Sequence, residues 1–340
     1  MRLRDYVIRR LVLAIPVIFG VLLITFMLAY VVGDPVSLWI SERTRPEAIA
    51  AIRRAHGLDL PLPVQFLYYI SSLLMGDWGY SPTARMPVIN ALAAFFPATA
   101  ELAIWAMVFA VALGIPLGIL SATRKDKPAD HVTRIIALAG VSMPIFWFAL
   151  MLKYLLFFQL SVMGLPHLPS ADRYTYYIPY TPITNFILLD SVITGNATLF
   201  FDGLAHLIMP AICLAYLTLA VIARMMRSSM LEVLKEDYIT LARSKGLRER
   251  VVVYRHALRN AMIPTVTVIG LGFGGLLSGA VLTETIFSWP GIGRWSTASI
   301  FNSDIPSISA FVLVVALVYV MANLFVDLIY GALDPRIRYG

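Results

Sequence analysis

Six stretches of the chain, residues 11–32, 102–120, 135–160, 204–223, 263–283 and 308–330, are almost continuously apolar. Each approaches the roughly 20 residues an α-helix needs to cross the hydrocarbon core of a bilayer. The pattern predicts six membrane-spanning helices, and an even number puts both termini on one side. Pro16, Pro116, Pro144 and Pro210 fall inside the runs. Each removes a backbone donor and marks a candidate kink. Gly270, Gly274, Gly275 and Gly279 in the fifth run, and Gly114 and Gly118 in the second, have the small-xxx-small spacing that lets helices approach closely. Packing within this chain is favoured over a seam with another subunit.

The polar intervals carry their own elements. In 33–100, Pro46 to Gly57 and Pro63 to Gly76 each begin with proline and stop at glycine, which predicts two helices in a cap on the outer face. Residues 161–203, rich in Pro, Tyr, Thr and Asn and without a strong period, read as an irregular loop with one or two short helices. In 224–264, Leu231, Leu234, Tyr238 and Leu241 share one face of an amphipathic helix, with Lys235, Asp237 and Arg243 off it. Ser229 and Glu232 have capping-box spacing, and Gly246 is placed to end the helix in a left-handed conformation. A second short helix follows, with Val251, Tyr254 and Leu258 on one face among Arg248, Arg250, Arg255 and Arg259. The interval predicts a two-helix handle with a glycine joint, available to another protein.

Composition agrees with the pattern. The chain is 59% hydrophobic and 14% charged, with a mean hydropathy of +0.78, too apolar for a soluble chain of 340 residues. The fold class expected is all-α, a polytopic membrane protein forming one transmembrane domain over 1–340. The first run follows Arg2, Arg4, Arg9 and Arg10 but is too long for a signal-peptide core, so it reads as a retained span. The net charge of +7 does not suggest nucleic acid, because the basic residues are segregated between apolar runs. A cytoplasmic N-terminus puts about nineteen Lys and Arg inside and about seven outside, with Lys153 in a span, so both termini are assigned to the cytoplasm. Cys213, the single cysteine, cannot form an intrachain disulfide.

Catalytic chemistry is absent from the pattern. No G-x-x-x-x-G-K-[ST] loop is present, so ATP, if used, is bound by another chain. GLGFGG at 270–275 lies inside an apolar run with no strand before it and is not read as a dinucleotide site. The five histidines are scattered, and neither Ser142 nor Ser278 has an evident base, so no metal or catalytic site is expected. Glu101 and Glu284 stand at span margins, where a buried carboxylate costs roughly 2.5–3.5 kcal/mol without a partner. They are candidate pathway residues, and the favoured alternative puts them at the outer interface or at helix ends. Lys153 either belongs to the pathway or snorkels. Asp327 is expected to pair with Arg336 or Arg338.

Several stretches resemble the permease subunits of ATP-binding-cassette importers of the peptide and nickel class, most closely the first permease of dipeptide importers. They are RRLVLAIPVIFGVLLITF (9–26), GDP (33–35), FPATAELA (96–103), GIPLGILSA (114–122) and SMPIFWFALML (142–152). RSSMLEVLKEDYITLARSKGL (227–247), HALRNAMIP (256–264), TETIFSWPGIGRW (283–295) and VDLIYGALDPRIRYG (326–340) continue the match in the family's order. The resemblance implies a type I importer permease fold in the inner membrane, with 224–264 as the cytoplasmic coupling region docking on an ATPase. The residues it implies there are Glu236, Asp237, Tyr238, Thr240, Leu241, Ala242, Lys245 and Gly246. Thr240, Leu241 and Ala242 fall on the family's opening triplet, whose glutamate and first alanine are absent here. Pro264 lies further from Gly246 than in the general pattern. The implied partners are a second homologous permease, one or two ATPase subunits holding ATP and Mg, and an extracytoplasmic binding protein. No cofactor or catalysis is implied in this chain. The implied cargo is di- or oligopeptide, with nickel chelates, glutathione or oligosaccharides as alternatives. An ion-coupled secondary transporter would need ionisable residues at mid-membrane, and few are present.

Overall fold

In a computed structural model, backbone is described for residues 3–33, 35–38 and 44–333. In chain order the helices are α1 (Leu3–Met27), α2 (Pro46–Ala55), α3 (Leu62–Leu74), α4 (Val88–Thr123) and α5 (Pro128–Ser142). They continue with α6 (Ile145–Lys153), α7 (Leu160–Val162), α8 (Ile187–Ile193), α9 (Ala197–Val233) and α10 (Asp237–Ser244). The last are α11 (Glu249–Val251), α12 (Leu258–Ile286), α13 (Ile292–Phe301) and α14 (Ile305–Leu333). A two-residue hairpin, β1 (Tyr80–Ser81) and β2 (Met86–Pro87), precedes α4. Wider, π-type turns extend α1 over Leu28–Val32, join α6 to α7 over Tyr154–Gln159, and join α11 to α12 over Val252–Ala257.

Among the described residues, five helices are long and apolar enough to span a membrane. A sixth is reached if Glu249–Leu276 and Ala280–Ile286, bent by 52° to each other, count as one span. The boundaries differ from the sequence reading in two places. The second span begins at Val88, so Glu101 lies inside α4 and does not open it. The third is broken: the chain leaves the helix at Met143 (φ −80, ψ 129) and restarts after Pro144. Proline there cannot donate and disfavours helical backbone in its predecessor, and Met143 is extended. Helices continue through Pro16, Pro116 and Pro210, because only one intrahelical bond is lost at each.

The core is the seam between α4 and α9. Leu102, Ala106, Ala110, Leu207, Leu214 and Ile222 are buried in one cluster. Glycine sets how near the helices come. A Cβ at Gly114 would lie 2.9 Å from Ile222 Cγ2, and one at Gly118 would lie 2.6 Å from Met226 Cβ and 2.7 Å from the Ala223 carbonyl oxygen. These two small residues therefore pack within the chain. Gly274 does the same against Tyr319 of α14, at 2.8 Å, whereas a Cβ at Gly275 meets nothing within 4 Å. Gly279 and the expected pairing of Asp327 lie outside the described side chains. α12 packs on α9, α4 and α14, and α1 packs on α14. The expected helices at 46–55 and 62–74 form, ending at Gly57 (φ +65) and Gly76 (φ +84). The second loop is irregular apart from α8.

Candidate functional site

Residues 224–264 are built differently from the amphipathic helix expected. α9 runs on to Val233, so Ser229 is buried inside it and caps nothing. Leu231 and Tyr238 lie on different helices, because the chain turns at 234–236 before α10 starts behind Glu236. The face turned inward is Ile239, fully buried, with Ala242. They join Met226, Met230, Val252, Val253 and Ala257 in a cluster under the end of the bundle. Tyr238 and Leu241 instead face out, 39% and 56% exposed. The second short helix is not separate either. α11 runs through the π turn into α12, and the extra residue in that turn brings Val252, Val253 and Ala257 inward while leaving Tyr254 exposed.

Of the eight residues assigned to coupling, Glu236, Asp237, Tyr238, Thr240, Leu241, Lys245 and Gly246 are exposed and Ala242 is buried. The helix has an acidic residue, Asp237, in its first turn and a basic one, Arg243, in its last, the favourable sense for the helix dipole. Gly246, at φ +75, turns the chain back. Arg243 then straps the turn, donating to both Glu249 carboxylate oxygens at 3.2 and 2.7 Å and to the Leu234 carbonyl at 3.4 Å. Asn260 Nδ2 donates to Tyr238 Oη at 2.7 Å, fixing the exposed ring against the start of α12. The result is a short helix, rigidly seated on two spans, that presents apolar and charged side chains together.

A buried polar cluster beside it had no signal in the sequence reading. Asp130, fully buried in the first turn of α5, accepts from Arg227 Nε at 2.8 Å and Nη2 at 2.9 Å. It also accepts from Ser121 Oγ at 2.5 Å and the Asp126 amide at 3.1 Å. The Arg227 bonds foremost, with those from Ser121 and Asp126, hold its carboxyl well below the usual carboxylate range against the opposing cost of burial.

Glu101 and Glu284 lie at the opposite end of the bundle, and both oxygens of each accept a protein donor. Glu101 accepts from Arg173 Nη2 at 2.5 Å and the Leu188 amide at 2.9 Å. Arg173 also donates to the Asn185 carbonyl and stacks its guanidinium over Trp289. Glu284 accepts from Thr99 Oγ1 at 2.6 Å and the Arg294 amide at 2.9 Å. Thr99 Oγ1 in turn accepts the Ile292 amide. The WPGIGRW hook fits because Gly291 and Gly293 have no Cβ; one at Gly291 would lie 2.3 Å from Glu284 Oε1. Lys153 Nζ donates to the Ile286 carbonyl at 3.0 Å, capping α12.

Asp190 and Asp304 are further ties that the sequence did not signal. Asp190 receives Tyr180 Oη, Thr184 Oγ1 and three backbone amides. Asp304 accepts Ser81 Oγ at 2.7 Å, and the Thr83 and Ser307 amides.

Two family models cover most of the chain. Residues 114–339 match the binding-protein-dependent transport system inner membrane component, and residues 3–103 match the N-terminal part of such components. The chain is 46% identical to the dipeptide transport system permease protein of Escherichia coli over 98% of this chain and 99% of that one. It is 45% identical to the di/tripeptide transport system permease protein of Pseudomonas aeruginosa at the same coverage. To the glutathione transport system permease protein of Salmonella choleraesuis it is 37% identical, again over 98% and 99%. With its spanning helices, its buried α4–α9 seam and these matches over nearly its full length, the chain belongs to the family of inner membrane components of binding-protein-dependent transport systems.

Proposed function

We propose that this chain is a non-catalytic permease subunit of an ATP-driven importer, pairs with a second permease, and carries di- or oligopeptides handed over by an extracytoplasmic binding protein. The observation that carries the reading is α10: Ile239 and Ala242 lock it to the ends of α9 and α12, while Tyr238 and Leu241 stand exposed beside Asp237 and Lys245. That is a surface for a separate ATPase chain, which supplies ATP and Mg sites. The α10 end is then cytoplasmic, as are both termini. The cluster of basic residues at that end, Arg124, Lys125, Lys127, Arg224 and Arg243 among them, supports this sidedness. Residues 33–100 and the Glu101 and Glu284 ends belong to the outer face, where their internal pairing favours a role in holding loops over direct contact with cargo.

The peptide cargo rests on the relatives at 45–46% identity. Glutathione, carried in the name of a relative at 37%, is itself a peptide and is the second reading. The test is affinity purification of the tagged chain from its native membrane, with ATPase assay of what co-purifies. An ATPase and a second permease are expected with the unsubstituted chain. Leu241→Glu should cut ATPase recovery at least about tenfold, the effect of a charge placed in the centre of an apolar contact. Peptide uptake competed by dipeptides and not by glutathione fixes the cargo. Transport by the isolated chain, driven by an ion gradient, would sink the proposal.

A further inference from the structure

α5 adheres to the bundle without an apolar seam. The residues it buries are Asp130, Thr133 and Gly140, while Val132, Ile135, Leu138 and Val141 are exposed. Two tethers hold it to α9. One is the bidentate Asp130–Arg227 pair, reinforced by Ser121 of α4. The other is the approach at Gly140, where a Cβ would lie 2.7 Å from Ala220 Cβ. Beyond Gly140 the helix ends at the extended Met143 and Pro144. α5 is thus a 15-residue rod, held at its first turn by a directional ion pair and jointed at its last.

Arg227 lies next to Met226 and one turn before Met230, and both methionines sit in the cluster with Ile239 and Ala242 of α10. Any displacement of α10 therefore reaches Arg227 through close-packed side chains, which transmit strain rather than absorb it. We propose that the Asp130–Arg227 pair is the tie that passes movement of α10 to α5, making Asp130 and Arg227 positioning residues for transport and α5 the element they move. The inference rests on the reading of α10 as the ATPase-docking helix. An ion pair suits this task because two parallel N–H···O bonds fix orientation as well as distance. An apolar seam would let the rod slide. Asp130 is fully buried and Arg227 half-buried, and fixing one arrangement is the best-attested use of buried ionic groups.

The test uses the assembled complex in lipid vesicles, with Cys213→Ala as background and spin labels at the exposed Leu138 of α5 and Leu217 of α9. In the unsubstituted complex the label distance should change between nucleotide-free and ATP-bound states. Asp130→Asn should preserve assembly and ATP hydrolysis within about twofold, abolish the distance change, and lower uptake at least about tenfold. Arg227→Lys keeps the charge but loses the fork, and should show the same split more weakly. The inference is overturned if Asp130→Asn keeps both the distance change and uptake. It is equally overturned if both variants lose assembly and hydrolysis together, since the pair is then an anchor only. A complex that shows the ATP-dependent change and its loss in Asp130→Asn, yet takes up no peptide, supports the tie and removes the cargo reading.

Discussion

At the scale of residues, the bundle buries its carboxylates in company. Glu101 and Arg173 are 3% and 7% exposed and bonded to each other. Burying two charges is costly, so the pair adds little net stability, but leaving one alone is expensive. Glu101→Ala, which strands Arg173, is expected to cost about 3–5 kcal/mol. The double change Glu101→Ala with Arg173→Met should cost less than Glu101→Ala alone, read as thermal stability in detergent. A double variant less stable than both single variants together would contradict the pairing. The residue types were visible in the sequence; their partners were not. Glu101 and Arg173 are 72 positions apart and Thr99 and Glu284 are 185 apart, so no local spacing rule reaches them.

At the scale of elements, α4 and α9 depend on the absence of side chains at Gly114 and Gly118. Gly118→Val must push against the α9 backbone at Ala223, which cannot rotate away. A loss of about 1–3 kcal/mol is expected, as for other overpacked cores, and a lowered melting temperature in detergent would register it. Gly275→Ala, in open space, should stay within about 0.5 kcal/mol of the unsubstituted chain. Equal effects of the two substitutions would argue against this seam. The small-xxx-small spacing identified both surfaces without ranking them, because spacing places residues on a face but does not say what lies opposite. α10 shows the same limit in another form. Its glycine stop at Gly246 was legible, as left-handed backbone needs a local residue choice. Its inward face was not, since the turn at 234–236 and the π turn at 252–257 each reset the helical phase on which the apolar pattern was counted.

At the scale of the whole molecule, buried aspartates tie both ends of the bundle: Asp130 at one, Asp190 at the other. Asp190, although burial opposes its ionisation, is held below the ordinary 3.8 by bonds from Thr184, Ile183 and Tyr180. Arg227 above all does this for Asp130. Because the folded pKa is depressed, each contributes stability that is complete above the unfolded value near 3.8. That contribution is lost as pH falls through the folded one. The melting temperature in detergent should therefore be insensitive to these groups from neutral pH down to about pH 5, and fall below about pH 4. In Asp130→Asn with Asp190→Asn, the neutral-pH stability should already be lower and the acid slope flatter. An unchanged slope would show that other carboxylates govern acid unfolding.

The sequence by itself determined the class of molecule, the near count and placement of its spans, and its glycine stops. Each of these follows from hydropathy, length or a local backbone requirement, which neighbours in the chain suffice to express. Only the tertiary structure decided that Glu101 and Glu284 are internally paired, that Lys153 caps α12, that Tyr238 and Leu241 face out, and that α5 hangs on Asp130 and Arg227. Those facts depend on which groups meet across the bundle. A buried charge takes whatever partner the packing of distant helices brings within about 3 Å, and the order of residues along one helix does not encode that distance.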